Sequence, residues 1–171
     1  EERRNTLIEA VADVDDALAE LYLEGEEIDA SVLTEAIARS TKAREFVPVF
    51  MGSAFKNKGV QPLLDGVVSY LPAPTAREGV CALDLENDEA PVPIECDSDA
   101  PLLALAFKLE ESRFGQLTYV RIYQGTLKKG DYIQNVRTRS RTKVPRVVRM
   151  HADDMEEIDE ASAGDVVAIF G

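Results

Sequence analysis

The apolar residues of this chain change period once, and that change limits what it can fold into. In residues 1–71 they recur every three or four positions, a spacing that lays them along one side of a helix. From Pro101 onward they alternate, which puts them on one face of a strand. One half should therefore be built of helices and the other of an antiparallel sheet.

In the first half, Leu7, Val11, Val14, Leu18 and Leu21 predict one amphipathic helix over residues 1–23, broken at Gly25. A second helix is expected over residues 28–43. Asp29 or Ser31 would be its N-cap, with Val32, Leu33, Ala36 and Ile37 facing inward. Residues 46–51, Phe-Val-Pro-Val-Phe-Met, have the length and composition of a buried strand. A loop over residues 52–59 leads to a third helix over residues 60–71, where Pro62 is tolerated in the first turn. One strand cannot make a sheet, so this half is expected to have lost its sheet partners or to borrow them.

Residues 75–100 are acidic, contain Pro91 and Pro93, and show little periodicity. They read as an extended connection. The expected division is thus residues 1–74, a connection over 75–100, and a second domain over 101–171. In the last, Leu103, Leu105, Phe107 and Leu109 alternate with their neighbours, as do residues 117–123. Further strands are expected over 131–136, 143–150 and 165–170. Residues 153–160, rich in Asp and Glu, read as a solvated turn. Short strands divided by turn signals argue a small antiparallel barrel.

The 171 residues carry a net charge of −13, unevenly spread. Residues 1–100 hold 8 basic and 22 acidic side chains, whereas residues 102–151 hold 11 basic and 3 acidic. A basic patch on one module suits a phosphate-bearing partner, although a solvated face has the same composition. No apolar run approaches the length of about 18 residues that a membrane span needs. The charged start, Glu1-Glu2-Arg3-Arg4, is expected to be neither a signal nor a transit peptide. Cys81 and Cys96 do not form a disulfide framework and fit a reducing compartment. With His151 they lack the close spacing of zinc ligands, so no metal is expected. His151 reads as structural, and Tyr119 and Tyr123 as sheet packing rather than as a base-stacking platform.

The loop Gly52-Ser53-Ala54-Phe55-Lys56 lies between a strand and a helix, the place where open α/β sheets bind ligands. With the following Asn57-Lys58-Gly59-Val60-Gln61-Pro62 it resembles the end of the GTPase domain of elongation factor G. The runs Ala106-Phe107-Lys108-Leu109, 113–121 (Arg-Phe-Gly-Gln-Leu-Thr-Tyr-Val-Arg), Gly125-Thr126-Leu127-Lys128-Lys129-Gly130-Asp131, Met150-His151-Ala152 and Ala163-Gly164-Asp165-Val166-Val167 resemble that family's second domain. The resemblance leans toward its mitochondrial and bacterial branches and covers nearly the whole chain. It implies an α+β chain overall: the C-terminal part of an α/β GTPase domain, then an antiparallel translation-factor β-barrel. It also implies that Ser53, Ala54, Phe55 and Lys56 meet the guanine base, with the Ala54 N–H donating to O6. Arg137, Arg139, Arg141, Lys143 and Arg146, largely alternate in sequence, would face small-subunit rRNA. The parent would use GTP with Mg2+ to drive translocation on the ribosome, touching rRNA and ribosomal proteins. It would work in the mitochondrial matrix of a eukaryote or the cytoplasm of a bacterium, without membrane contact.

Several parts of a GTPase are missing from these residues. There is no Gly-x-x-x-x-Gly-Lys-[Ser/Thr] loop, no Asp-x-x-Gly and no Asn-Lys-x-Asp. Phosphoryl transfer needs a phosphate cradle and metal ligands, so the chain alone is expected to be inactive and to bind no nucleotide. A recycling, release or ribosomal-protection paralogue shares both modules. A stand-alone interaction module is the alternative from another class.

Overall fold

In the computed structural model, residues 1–76, 79–112 and 115–170 are described, Ser112 by its backbone only. Arg113, Phe114 and Gly171, part of the resemblance above, lie outside them. The chain divides into two compact units, Glu1–Ala73 and Pro74–Gly171.

The first unit holds α1 (Glu2–Ala12), α2 (Asp16–Glu24), α3 (Ala30–Ala43) and α4 (Val60–Tyr70). The single helix expected over residues 1–23 is two. Asp15 ends the run by capping α2, its side chain accepting from the Leu18 N–H at 3.0 Å. Arg39 then grips the same carboxylate, Nε to Oδ2 at 3.0 Å and Nη2 to Oδ1 at 2.9 Å. Gly25 closes α2 in the left-handed conformation. Asp29 caps α3, accepting from both Ser31 and Val32 N–H groups. Ile8, Val11, Leu18, Ile28, Leu33, Ala36 and Ile37 form the core, with Phe46 and Tyr70 packed against it.

Residues 46–51 are not a buried strand. They form no ladder, and Val47, Val49 and Met51 are 78–85% exposed. A strand needs a neighbour to bond to, and among the described residues this unit has no strand. Helix α4 is also barer than its pattern promised, with Leu63, Leu64, Val67 and Val68 exposed. Its buried residue is Gly66, where a Cβ would come within 2.4 Å of the Phe50 ring. That ring stacks on Tyr70 with centroids 6.3 Å apart.

The second unit opens with a 3-10 turn, Pro74–Ala76, and a hairpin of β1 (Cys81–Asp84) and β2 (Ala90–Pro93). The acidic stretch read as an extended connection therefore contains a ladder, turned by Asp88 and Glu89 at positive φ. Next come β3 (Leu103–Ser112), β4 (Gly115–Gln124), β5 (Thr126–Lys128), β6 (Tyr132–Gln134), β7 (Arg141–Lys143), β8 (Val147–His151), β9 (Asp154–Ile158), β10 (Glu160–Ser162) and β11 (Val166–Phe170). Five of them make an antiparallel sheet in the order β3-β4-β11-β8-β9, while β5 pairs with β10 and β6 with β7. These ladders form no closed barrel among the described residues. Residues 153–160, expected as a turn, supply β9 instead, because Met155 and Ile158 reach the interior from an acidic strand.

The sheet is apolar on both faces. Val120, Ile122, Val147, Val167 and Ile169 join Leu127 and Val144 on one side. Leu117, Val148 and Ala168 pack with Tyr119, Met150 and Phe170 on the other. Leu127, set between the Gly125 and Gly130 turns, is 1% exposed. At Gly125 the backbone has φ 79° and a Cβ would lie 2.6 Å from Leu102 Cα, so only glycine lets these segments meet. Asp131 Oδ2 accepts from the Lys128 N–H at 2.9 Å and Asp165 Oδ2 from the Ser162 N–H at 2.9 Å. The same turn thus follows each of the paired strands β5 and β10.

Candidate functional site

Two groups of residues merit attention, one in each unit. In the first, residues 52–59 form a pinched loop. The Ser53 N–H donates to Lys58 O at 2.8 Å and the Lys58 N–H to Ser53 O at 3.0 Å. Within it the Lys56 N–H donates to Ser53 O at 3.1 Å and the Asn57 N–H to Ala54 O at 3.0 Å. The legs approach so closely that a Cβ at Gly52 would stand 2.7 Å from Lys58 O, and one at Gly59 2.7 Å from Met51 O. Small residues are required there by contact.

The pinch directs four residues outward. Ser53 is half-buried, and Ala54, Phe55 and Lys56 are exposed, Phe55 at 99%. Among the described residues the Ala54 and Phe55 N–H groups donate to nothing. The loop tip therefore offers two backbone donors, a bare ring and an ammonium group. That set can bond a carbonyl oxygen and cover a planar heterocycle.

In the second unit, Asn135 Oδ1 accepts from the Arg137 and Thr138 N–H groups at 3.0 and 3.1 Å, which shapes the β6–β7 turn. Tyr132 pairs with Lys143, Ile133 with Thr142 and Gln134 with Arg141. Ile133 packs on the core, so Tyr132, Gln134, Arg141 and Lys143 share the opposite face. The Arg141 guanidinium lies 5.6 Å from the centre of the Tyr132 ring.

The five basic residues singled out from the sequence are all exposed, but they do not form one row. Arg141 and Lys143 share the ribbon face, and Arg137 and Arg139 occupy the turn. Arg139 reaches Glu86 at 3.8 Å. Arg146, beyond the hairpin, bonds Glu157 at 2.9 Å and lies 4.6 Å over the Phe170 ring. Lys129 also bonds Glu157, and the two cations, Lys129 foremost, hold that carboxyl below its ordinary range. Arg146 is thus engaged in holding β8 to β9. Sequence spacing grouped it with the others because ion pairing across the sheet leaves no local signal.

Tyr119 and Tyr123 are half-buried on β4. His151 does find a carboxylate, Glu156 Oε2 at 3.2 Å, across the β8–β9 hairpin. Both are exposed, and the pair links β8 to β9. Among the described residues no three His, Cys, Asp or Glu side chains stand close enough to share a metal ion. No helix of these residues is long and apolar enough to cross a membrane.

An antiparallel unit with glycine-aspartate turns follows a helical unit with a pinched loop, and similarity to known proteins puts the chain in the class of translation factors. Residues 115–171 match the family model described as Elongation factor Tu domain 2. Over 170 residues the chain is 62% identical to "Elongation factor G-1, mitochondrial" of Arabidopsis thaliana, covering 99% of this chain and 22% of that protein. A protein of Thermus thermophilus with a known crystal structure superposes with a TM-score of 0.64 at 31% identity, over 99% of this chain and 23% of that one. The chain belongs to the elongation factor G family and spans 22% of the length of the curated relative it matches.

Proposed function

We propose that this chain is the part of a ribosomal translocase GTPase that completes its guanine pocket and carries most of its second domain. The carrying observation is the match to an elongation factor G along both units in one order. The reading assigns Ser53, Ala54, Phe55 and Lys56 to the guanine base, with the free Ala54 N–H donating to O6. A buried bond of that kind discriminates against adenine, which presents a donor at the same place. It assigns the exposed cations of the β6–β7 hairpin, Arg137, Arg139, Arg141 and Lys143, to rRNA phosphates, with Arg146 bracing the sheet beside them. GTP hydrolysis and Mg2+ binding fall to residues outside this segment. The chain alone releases no phosphate. The protein works in the mitochondrial matrix if its source is a eukaryote.

Substituting Ala54→Pro in the intact protein removes one N–H and adds no charge. Affinity for a fluorescent GDP should fall roughly tenfold or more, the cost of one unmatched polar group. Phe55→Ala should weaken GDP and GTP alike. Unchanged affinity in both variants would remove this loop from the pocket.

A further inference from the structure

We propose that the exposed face of the β6–β7 ribbon binds an unpaired RNA base by stacking on Tyr132, with flanking phosphates held by Arg137 and Lys143. The inference rests on the rRNA reading of this hairpin and narrows it from phosphate contact to single-stranded RNA. Four observations carry it. Tyr132 is 62% exposed although it sits in a strand whose next residue, Ile133, packs on the core. The register places Gln134, Arg141 and Lys143 on the same face. The Arg141 guanidinium lies over the Tyr132 ring, so ring and cation form a short stack that a base can extend. The charged ends of the Arg137 and Lys143 side chains have no partner among the described residues.

The chemistry distinguishes this face from a merely solvated one. In a ribbon that only holds charge in water, the ring would serve its contact with Arg141 and leave its other face unused. Phosphate contact alone needs no ring either, because cations bind a backbone without reading it. An aromatic side chain among cations and one amide matches an unpaired nucleotide: a π-face to stack, a base edge for the Gln134 amide, and phosphates on both sides. Duplex RNA keeps its bases stacked inside and offers only the phosphate part.

The chain contains no tryptophan, so Tyr132→Trp gives a single spectroscopic reporter. The titrants are a 12-nucleotide oligouridine, the same strand with central abasic positions, and a 12-base-pair RNA duplex. The expected result is quenching of the introduced indole by oligouridine and not by the abasic strand or the duplex. In parallel, Tyr132→Ala should weaken oligouridine binding roughly tenfold or more, the range for one stacked base, and leave duplex binding unchanged. Tyr132→Phe should retain it. If Tyr132→Ala and wild type bind all three RNAs alike while an Arg137→Ala/Lys143→Ala double variant binds none, phosphate contact stands and the stacking proposal falls. If the double variant also binds like wild type, the rRNA reading of the hairpin falls with it.

Discussion

Asp15 does two jobs with one carboxylate. It caps α2 and receives both nitrogens of Arg39 from α3. Asp15 is 8% exposed, while the Arg39 side chain is 51% exposed, so solvent screens part of the pair. The Arg39 hydrogen bonds, with the Leu18 N–H, hold the Asp15 carboxyl below its ordinary value against the opposing effect of burial. A depressed carboxyl contributes stability that is present above its unfolded pKa and lost as pH falls through the folded one. Arg39→Ala should therefore destabilise the helical unit by about 1–2 kcal/mol at neutral pH, less than a fully buried pair would cost. The difference from wild type should shrink as the pH is lowered below the carboxylate range. Chemical denaturation at pH 7 and pH 3 checks both points, and an equal loss at the two would contradict the charge account. None of this could be read from the local sequence. Val11, Val14 and Leu18 keep helical spacing straight through residues 13–15. The cap itself is a contact three positions away, but the Arg39 that grips it comes from 24 positions away.

Elements show the same division between what is local and what is not. Gly130 and Gly164 stand just before the strands expected over 131–136 and 165–170, and that reading puts Asp131 and Asp165 in the strands rather than in turns. That each aspartate locks the strand before it, and that those strands pair with each other, needed the fold. Three-residue strands are too short for alternation to register. Asp131→Ala should cost about 1 kcal/mol and lower the melting temperature, because it frees the Lys128 N–H. Asp131→Asn, which keeps an acceptor oxygen, should recover most of the loss, whereas an alanine variant as stable as wild type would mean that water replaces the bond. Of the candidate sites, the loop at 52–59 is legible because Gly52 and Gly59 bracket a short polar stretch between an apolar run and a helix. The ribbon was half apparent: its cations stand out in the sequence, but Tyr132 joins Arg141 only through the β6–β7 register. The exposed 46–51 segment was misjudged because an apolar run reports the capacity to be buried and not the presence of a neighbour.

At the scale of the whole molecule, charge is partitioned between acidic and basic regions rather than mixed. Residues 1–100 are strongly acidic, and the 11 basic side chains of the second half all fall within residues 102–151. Association with RNA through the ribbon should consequently weaken steeply with added salt. Titrating the oligouridine complex from about 50 to 200 mM salt checks this. A flat response would mean that stacking acts without the cations. The five-stranded sheet ends in β3 on one side and β9 on the other. Its outer strands carry Glu110 and Glu111, and Asp154, Glu156 and Glu157, while Leu105, Phe107 and Leu109 stand 52–64% exposed on β3. Those carboxylates discourage one sheet edge from templating another. Near the isoelectric point of about 4.5 the molecule's overall repulsion fades. Self-assembly through β3 is thus a hazard of mildly acidic solution, strongest near that pH and receding below it as the cations take over.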